Sequence, residues 1–267
     1  MNLWKVGACT VLMAFAVKAQ PETGESESLT FEVASVKPSA QRTLGGIIRV
    51  MPGNQRYHCE NMPLRTIMTV AYTVTDRQIS GGPDWMAADR FDIEAKASRP
   101  RTNDDLNVML QHLLEDRFQI KVRREKREEA AYLLRVAKRG PKMPVHDPED
   151  KDYPPIGGST LTATDGTTCP GLAGRNVTMD YFAFVLSRMM DRQVIDQTGL
   201  AARYDVIVHY VPENSRLRAP DGGVSAFTPD CTDIFSALPA QLGLQMEKGR
   251  GLVEYLVVEH AAKPAEN

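Results

Sequence analysis

The sequence predicts an α+β fold built from two tandem pseudo-repeats. Each is a helix–strand–strand unit, with antiparallel sheets carrying helices on one face. Internal repetition is the first reason. Asn61-Met62-Pro63-Leu64 opens a stretch running through Asp76-Arg77-Gln78-Ile79 to Arg90-Phe91-Asp92-Ile93. Asn176-Val177-Thr178-Met179 opens a second, through Asp191-Arg192-Gln193-Val194 to Arg203-Tyr204-Asp205-Val206. Asn61 to Asn176 and Asp76 to Asp191 are both 115 apart, and Arg90 to Arg203 is 113, so one two-residue deletion aligns the copies. Self-similarity of this kind marks a duplicated unit. The second reason is periodicity, which switches between helical and strand spacing within each copy. The third is that many strand pairs are joined by short turns, which favours antiparallel pairing over a parallel doubly wound sheet.

The chain has 267 residues, 42% hydrophobic and 25% charged, enough for a sizeable core. A formal net charge of −2 leaves no electrostatic footprint for nucleic acid. Residues 1–19 read as a signal peptide. Lys5 supplies positive charge, Val6 to Val17 is an apolar run of 12 residues, and Val17-Lys18-Ala19 fits a cleavage site. The run is too short to span a bilayer, and no other approaches the required length. The expected location is therefore outside the cytoplasm, periplasmic or extracellular. Of the cysteines, Cys59, Cys169 and Cys231 follow the signal. Cys169 and Cys231 flank the second copy's helix–strand unit and are the candidate disulfide; three unpaired small hydrophobes are the alternative.

Residues 20–28 are polar and acidic and read as a disordered leader. The first half is expected over 29–143. Leu29, Phe31 and Val33 alternate as a strand, and Gly45-Gly46 and Pro52-Gly53 punctuate a hairpin. Asn61 reads as the N-cap of a helix whose face is Leu64, Ile67, Met68, Ala71 and Tyr72. A short strand at Gln78-Ile79-Ser80 stops at Gly81-Gly82-Pro83, and Phe91, Ile93 and Ala95 alternate in the next. Asn103 or Asp104 caps a second helix with Leu106, Met109, Leu110, Leu113 and Leu114 on one face. Phe118 to Val122 and Tyr132 to Val136 read as a hairpin with a basic tip of Lys121, Arg123, Arg124, Lys126 and Arg127. Residues 144–154 read as a linker, and the second half is expected over 155–267. There Met179, Phe182, Ala183 and Leu186 mark a helix, Tyr204, Val206 and Val208 a strand, and 211–231 a long loop. A short helix follows at Phe235, Leu238 and Leu242, kinked or shifted by Pro239. Leu244 to Val258 reads as a last hairpin turning at Gly249-Arg250-Gly251.

Motifs for chemistry are sparse. His58, His112, His146, His209 and His260 show no metal-ligand spacing, and no zinc-binding or redox cysteine pair occurs. Gly223-Val224-Ser225-Ala226-Phe227 lacks the closing glycine of a nucleophile elbow. His58-Cys59-Glu60 brings reactive types together, but strand alternation points His58 and Cys59 to opposite faces. Gly81, Gly82 and Trp85 are a candidate ligand loop with an aromatic platform; the alternative is a tight turn with a core tryptophan. The repeated Asp-Arg-Gln and Arg-aromatic-Asp triplets point to a structural duty, such as an Arg–Asp pair fixing a strand end. No catalytic, cofactor-binding or metal residue is assigned, and no cofactor is expected.

Phe31-Glu32-Val33-Ala34-Ser35-Val36-Lys37-Pro38, Gln78 to Trp85 and Asp89 to Lys96 together resemble a large family of exported proteins from soil acidobacteria. Leu113 to Phe118, Asp196-Gln197-Thr198-Gly199-Leu200 and Lys263 to Asn267 continue the resemblance. That family is a domain of unknown function, found alone or attached to membrane peptidases of the BlaR type. The resemblance implies export and fold and supplies no catalytic residue. The expected function is an exported, non-enzymatic module binding an envelope protein or small ligand. The alternatives are an envelope hydrolase with a site assembled from distant residues, or a sensor domain working with a membrane peptidase.

Overall fold

The computed structural model describes residues 29–40, 45–51, 53–149, 156–162, 168–211 and 231–264. The expected signal peptide and leader, residues 150–154 of the expected linker, and most of the 211–231 loop lie outside the described residues. The architecture is α+β, as the alternation of helical and strand periodicity predicts.

The first copy holds a sheet ordered β1-β5-β3-β2, from β1 (Val33–Pro38), β2 (Ile47–Val50), β3 (Arg56–Pro63) and β5 (Arg90–Lys96). Alternation in β5 buries Phe91, Ile93 and Ala95 against α1 (Leu64–Ala71) and α3 (Asn103–Phe118). A one-turn helix, α2 (Trp85–Ala88), adds Met86 to this core. The second copy holds a sheet ordered β10-β8-β7, from β7 (Gly157–Thr162), β8 (Thr168–Val177) and β10 (Tyr204–His209). Over it lies α4 (Met179–Met189), burying Met179, Phe182, Ala183 and Leu186. After α5 (Ile234–Ala237), the chain widens at Leu238–Leu242 into a π-helical turn. Pro239 lacks the N–H that a regular α-turn requires there.

A third sheet joins the copies. Its order is β4-β11-β6-β9, from β4 (Ile79–Gly81), β6 (Lys121–Val136), β9 (Val194–Asp196) and β11 (Leu244–His260). This corrects two expectations. Neither 118–136 nor 244–258 is a hairpin; β6 and β11 are each one long strand, and the two pair antiparallel from Leu244↔Val136 to His260↔Lys121. The expected basic tip is the first half of β6, on a solvated ribbon. Its charges are matched across and along the strands, Arg124 with Glu254, Arg127 with Glu125 and Arg123 with Glu259. Gly249 and Gly251 serve close packing rather than a turn. A Cβ on Gly249 would sit 2.6 Å from Leu133 Cδ1, and one on Gly251 2.5 Å from Ile195 Cδ1. The sheet is also mixed, because β4 joins β11, and β9 joins β6, in parallel.

The ribbon exchanges strands between the copies. Ile120 and Val122 belong to the first core, and Tyr132 and Leu134, on the same strand, to the second. Leu244 and Met246 begin β11 in the second core, and Leu256 and Val258 end it in the first. Each core is thus completed by sequence from the other copy.

Asn61 and Asn176 are not helix N-caps. The helices start at Leu64 and Met179, behind Pro63 and Thr178. Both asparagines sit at positive φ, 53° and 57°, a conformation asparagine tolerates better than most residues. Asn61 N–H donates to Asp92 Oδ1 at 2.8 Å, and Asn176 N–H to Asp205 Oδ1 at 3.2 Å. Arg90 donates to Asn61 O at 2.8 Å, and Arg203 to Asn176 O at 3.2 Å. The Arg-aromatic-Asp triplet therefore grips a strained asparagine backbone from both sides instead of forming the expected Arg–Asp pair.

Candidate functional site

The Asp-Arg-Gln triplets build the seam between the copies. In the first copy, Gln78 ends a 3-10 turn (Asp76–Gln78) and donates from Nε2 to Glu254 O at 2.8 Å. Its equivalent, Gln193, donates from Nε2 to Gln78 Oε1 at 2.7 Å and also to Thr75 Oγ1. The two equivalent glutamines thus meet where the copies join. Arg77 reaches across, donating to Met190 O at 3.0 Å and Ser187 O at 2.9 Å, the orphan carbonyls at the end of α4.

Beside this seam lies an open groove of about 220 Å³. Asp180, Phe184 and Ser187 of α4 form one wall, and Val194 and Asp196 of β9 another. Leu252 and Glu254 of β11 close it, with the amides of Gln78 and Gln193 at its inner end. Its ionisable lining residues are Asp180, Asp196 and Glu254; no Lys, Arg or His is among them. Asp196 accepts from Thr198 N–H at 2.8 Å, and Glu254 pairs with Arg124. The exposed Asp180 carboxylate carries no hydrogen bond or ion pair among the described residues. Leu252 is 64% exposed and offers an apolar wall. Such a lining accepts hydrogen bonds, attracts positive charge and covers a short aliphatic stem.

The groove residues are missed by sequence reasoning because four separate segments supply them. One signal was available: Asp180 stands at the position where the first copy has Arg65, a reversal of charge between aligned copies.

The sequence-derived candidates lie elsewhere. Gly81 and Gly82 have φ of 72° and 77°, and a Cβ on Gly81 would fall 2.7 Å from Val258 O. They are the turn that brings β4 against β11. Trp85 is half-buried, not a fully enclosed core residue; its ring stacks 6.4 Å from Phe118, with Lys263 Nζ 5.8 Å from its centroid. Cys169 and Cys231 are bonded, tying β8 to the start of α5, with Cα atoms 5.6 Å apart. Cys59 is buried, and burial with nearby Asp92 and Glu94 pushes its thiol up to about 12. That thiol is a packed hydrophobe at neutral pH. His58 lies on the opposite strand face, paired with Glu94.

Other histidine contacts form besides that of His112 Nδ1 with Leu29 O at 2.8 Å. His146 Nδ1–H donates to Asp205 Oδ1 at 2.7 Å. Burial raises the Asp205 carboxyl, but the hydrogen bonds from His146 and Asn176 N–H outweigh it and hold the group below its ordinary range. His209 Nε2 lies 3.0 Å from Ser159 Oγ on the second copy's sheet. Among the described residues no carboxylate orients His209 there, so the pair lacks the third member of a nucleophile relay. Among the described residues no cluster of three His, Cys, Asp or Glu could hold a metal, and no helix is long and apolar enough to cross a membrane.

Comparison with curated proteins and with solved structures finds no match. Residues 65–261 match the family described as a protein of unknown function, DUF3738. That span runs from α1 through both copies and the exchanged ribbon to the end of β11. The chain belongs to the DUF3738 family.

Proposed function

We propose that this protein is an exported cell-envelope module that binds a small ligand or a short segment of a partner in the groove between its two copies, without a covalent reaction. The observation that carries the reading is the groove itself, formed where α4, β9 and β11 converge on the paired glutamines. Its polar groups are amides, carboxylates and the hydroxyls of Thr73 and Ser187, which recognise and orient a ligand. Export is supported by the apolar run Val6–Val17 before Val17-Lys18-Ala19 and by the bonded sulfurs of Cys169 and Cys231, a linkage that persists in oxidising compartments.

The test is thermal stabilisation by fractions of envelope extract, read on the native chain and on Leu252→Trp. Leu252 is exposed, so the indole fills the groove without disturbing a core. Stabilisation of the native chain that Leu252→Trp abolishes is the expected result. Stabilisation that survives in Leu252→Trp, or none from any fraction, counts against the groove. N-terminal sequencing of the exported protein is expected to begin near Gln20; a product retaining residues 1–19 counts against export by a cleaved signal.

A further inference from the structure

We infer that the groove takes a guanidinium group on an alkyl stem, either an arginine side chain of a peptide or a free alkylguanidine. This rests on the reading of the groove as the binding site, and the internal repeat supplies the argument. The offset of 115 makes Arg65 the equivalent of Asp180, Gln78 of Gln193 and Ile79 of Val194. In the first copy, Arg65 on the first turn of α1 lays its guanidinium across the crevice between helix and strand. Its Nε donates to Asp76 Oδ1 at 2.5 Å, and its Nη2 to Asp76 O at 2.9 Å and Ile79 O at 2.7 Å. The fold therefore fills this crevice with a cation of its own.

In the second copy the same crevice stands open. Asp180 is shorter than arginine and of opposite charge, so it cannot bridge to the turn before β9. Of the equivalents of Arg65's two partners, Val194 lines the groove beside Gln193, while Asp191, the equivalent of Asp76, lies outside it and pairs with Arg192. Arg77 approaches α4 from the first copy, but its guanidinium is engaged by the Met190 and Ser187 carbonyls and does not line the groove. Arg124 engages Glu254 from the ribbon side. Asp180 remains without a partner, with Asp196 also on the lining. Guanidinium presents N–H donors in a planar fork that matches a carboxylate in bidentate fashion, and it is weakly hydrated. Leu252 covers the methylene stem. The ligand supplies from outside the cation that the first copy carries as Arg65, with Asp180 in place of the equivalent of Asp76 as its carboxylate.

The experiment titrates the full, ¹⁵N-labelled chain with agmatine, with acetyl-Gly-Arg-Gly-amide and with a neutral alkylurea of agmatine's length. Expected are saturable shifts at the amides of Ser187, Val194 and Glu254 with agmatine or the peptide. Whichever of the two binds more tightly identifies the source of the guanidinium. Asp180→Asn is expected to weaken binding about tenfold or more, the loss of one charge-assisted hydrogen bond. Asp180→Arg, which restores the first copy's residue, is expected to abolish binding with an unchanged fold, since the site is exposed. Binding of the urea in the groove without the guanidines overturns the cation and leaves the groove as a binding site. Binding of agmatine unchanged in Asp180→Arg also overturns it. Shifts from none of the three probes overturn it, and the extract screen with Leu252→Trp then decides the groove separately.

Discussion

Leu256→Ala tests the strand exchange most directly. Leu256 is 1% exposed and lies near the end of the second copy's last strand, yet its side chain belongs to the first copy's core. It pairs in register with Ile79 on β4 and Arg124 on β6. Removing a buried leucine's methyl groups from a core that cannot collapse costs about 3–4 kcal/mol. That is a large share of the roughly 5–15 kcal/mol that holds an ordinary domain folded. Hydrogen exchange is the assay, read separately over α1, α3 and β5 and over α4, β8 and β10. The expected result is faster exchange in the first set, although the substitution lies in the second copy's sequence. Leu134→Ala, fully buried in the second core but carried by the first copy's strand, is expected to give the reverse pattern. Urea unfolding should stay a single transition with unchanged slope, because the β6–β11 ladder spans both cores. If Leu256→Ala speeds exchange only around α4, β8 and β10, each half completes its own core and the reasoning fails.

The bond between Cys169 and Cys231 closes a loop with a sequence separation of 62, so chain entropy puts its removal at about 4 kcal/mol. A urea midpoint unmoved by reductant would contradict that. Cys59 should resist alkylation at mildly alkaline pH until the chain is unfolded, given a thiol pushed up to about 12; labelling of the folded protein would show that its strand opens. Gly171→Ala should disrupt the β8–β10 ladder, because the added Cβ would fall 2.1 Å from Val208 O, and circular dichroism melts should show a clear loss of stability. Asp205 is held below its ordinary range, so its contribution is complete above the unfolded carboxyl's pKa and fades as pH falls through the lower folded value. Asp205→Asn should therefore destabilise at neutral pH and match the native chain in strong acid; an equal loss at both would assign Asp205 a packing role alone.

Much of the local structure is legible in the chain. The faces of α1, α3 and α4 follow from apolar spacing, and β5 and β10 from alternation, because each element meets its core through its own periodicity. The long strands are not legible. Charged β6 reads as a hairpin tip because an exposed two-stranded ribbon has no buried face to impose a pattern. Gly249 and Gly251 read as a turn because glycine marks close packing and chain reversal alike. Asn61 reads as a cap because asparagine, which favours caps, also favours the left-handed conformation it adopts.

The sequence by itself determined the α+β class and the recurrence of the Asn, Arg-aromatic-Asp and Asp-Arg-Gln signatures, since these are local or periodic. Only the tertiary structure decided what the signatures do. The Asp-Arg-Gln triplets lock one copy to the other, and the strands that complete each core come from the opposite copy. The groove is likewise a tertiary fact. Asp180, Asp196 and Glu254 are brought together only by β11 crossing beside β4 and β9 beside β6. Pairing between distant strands is set by which faces can be buried together, and no window of sequence contains both faces.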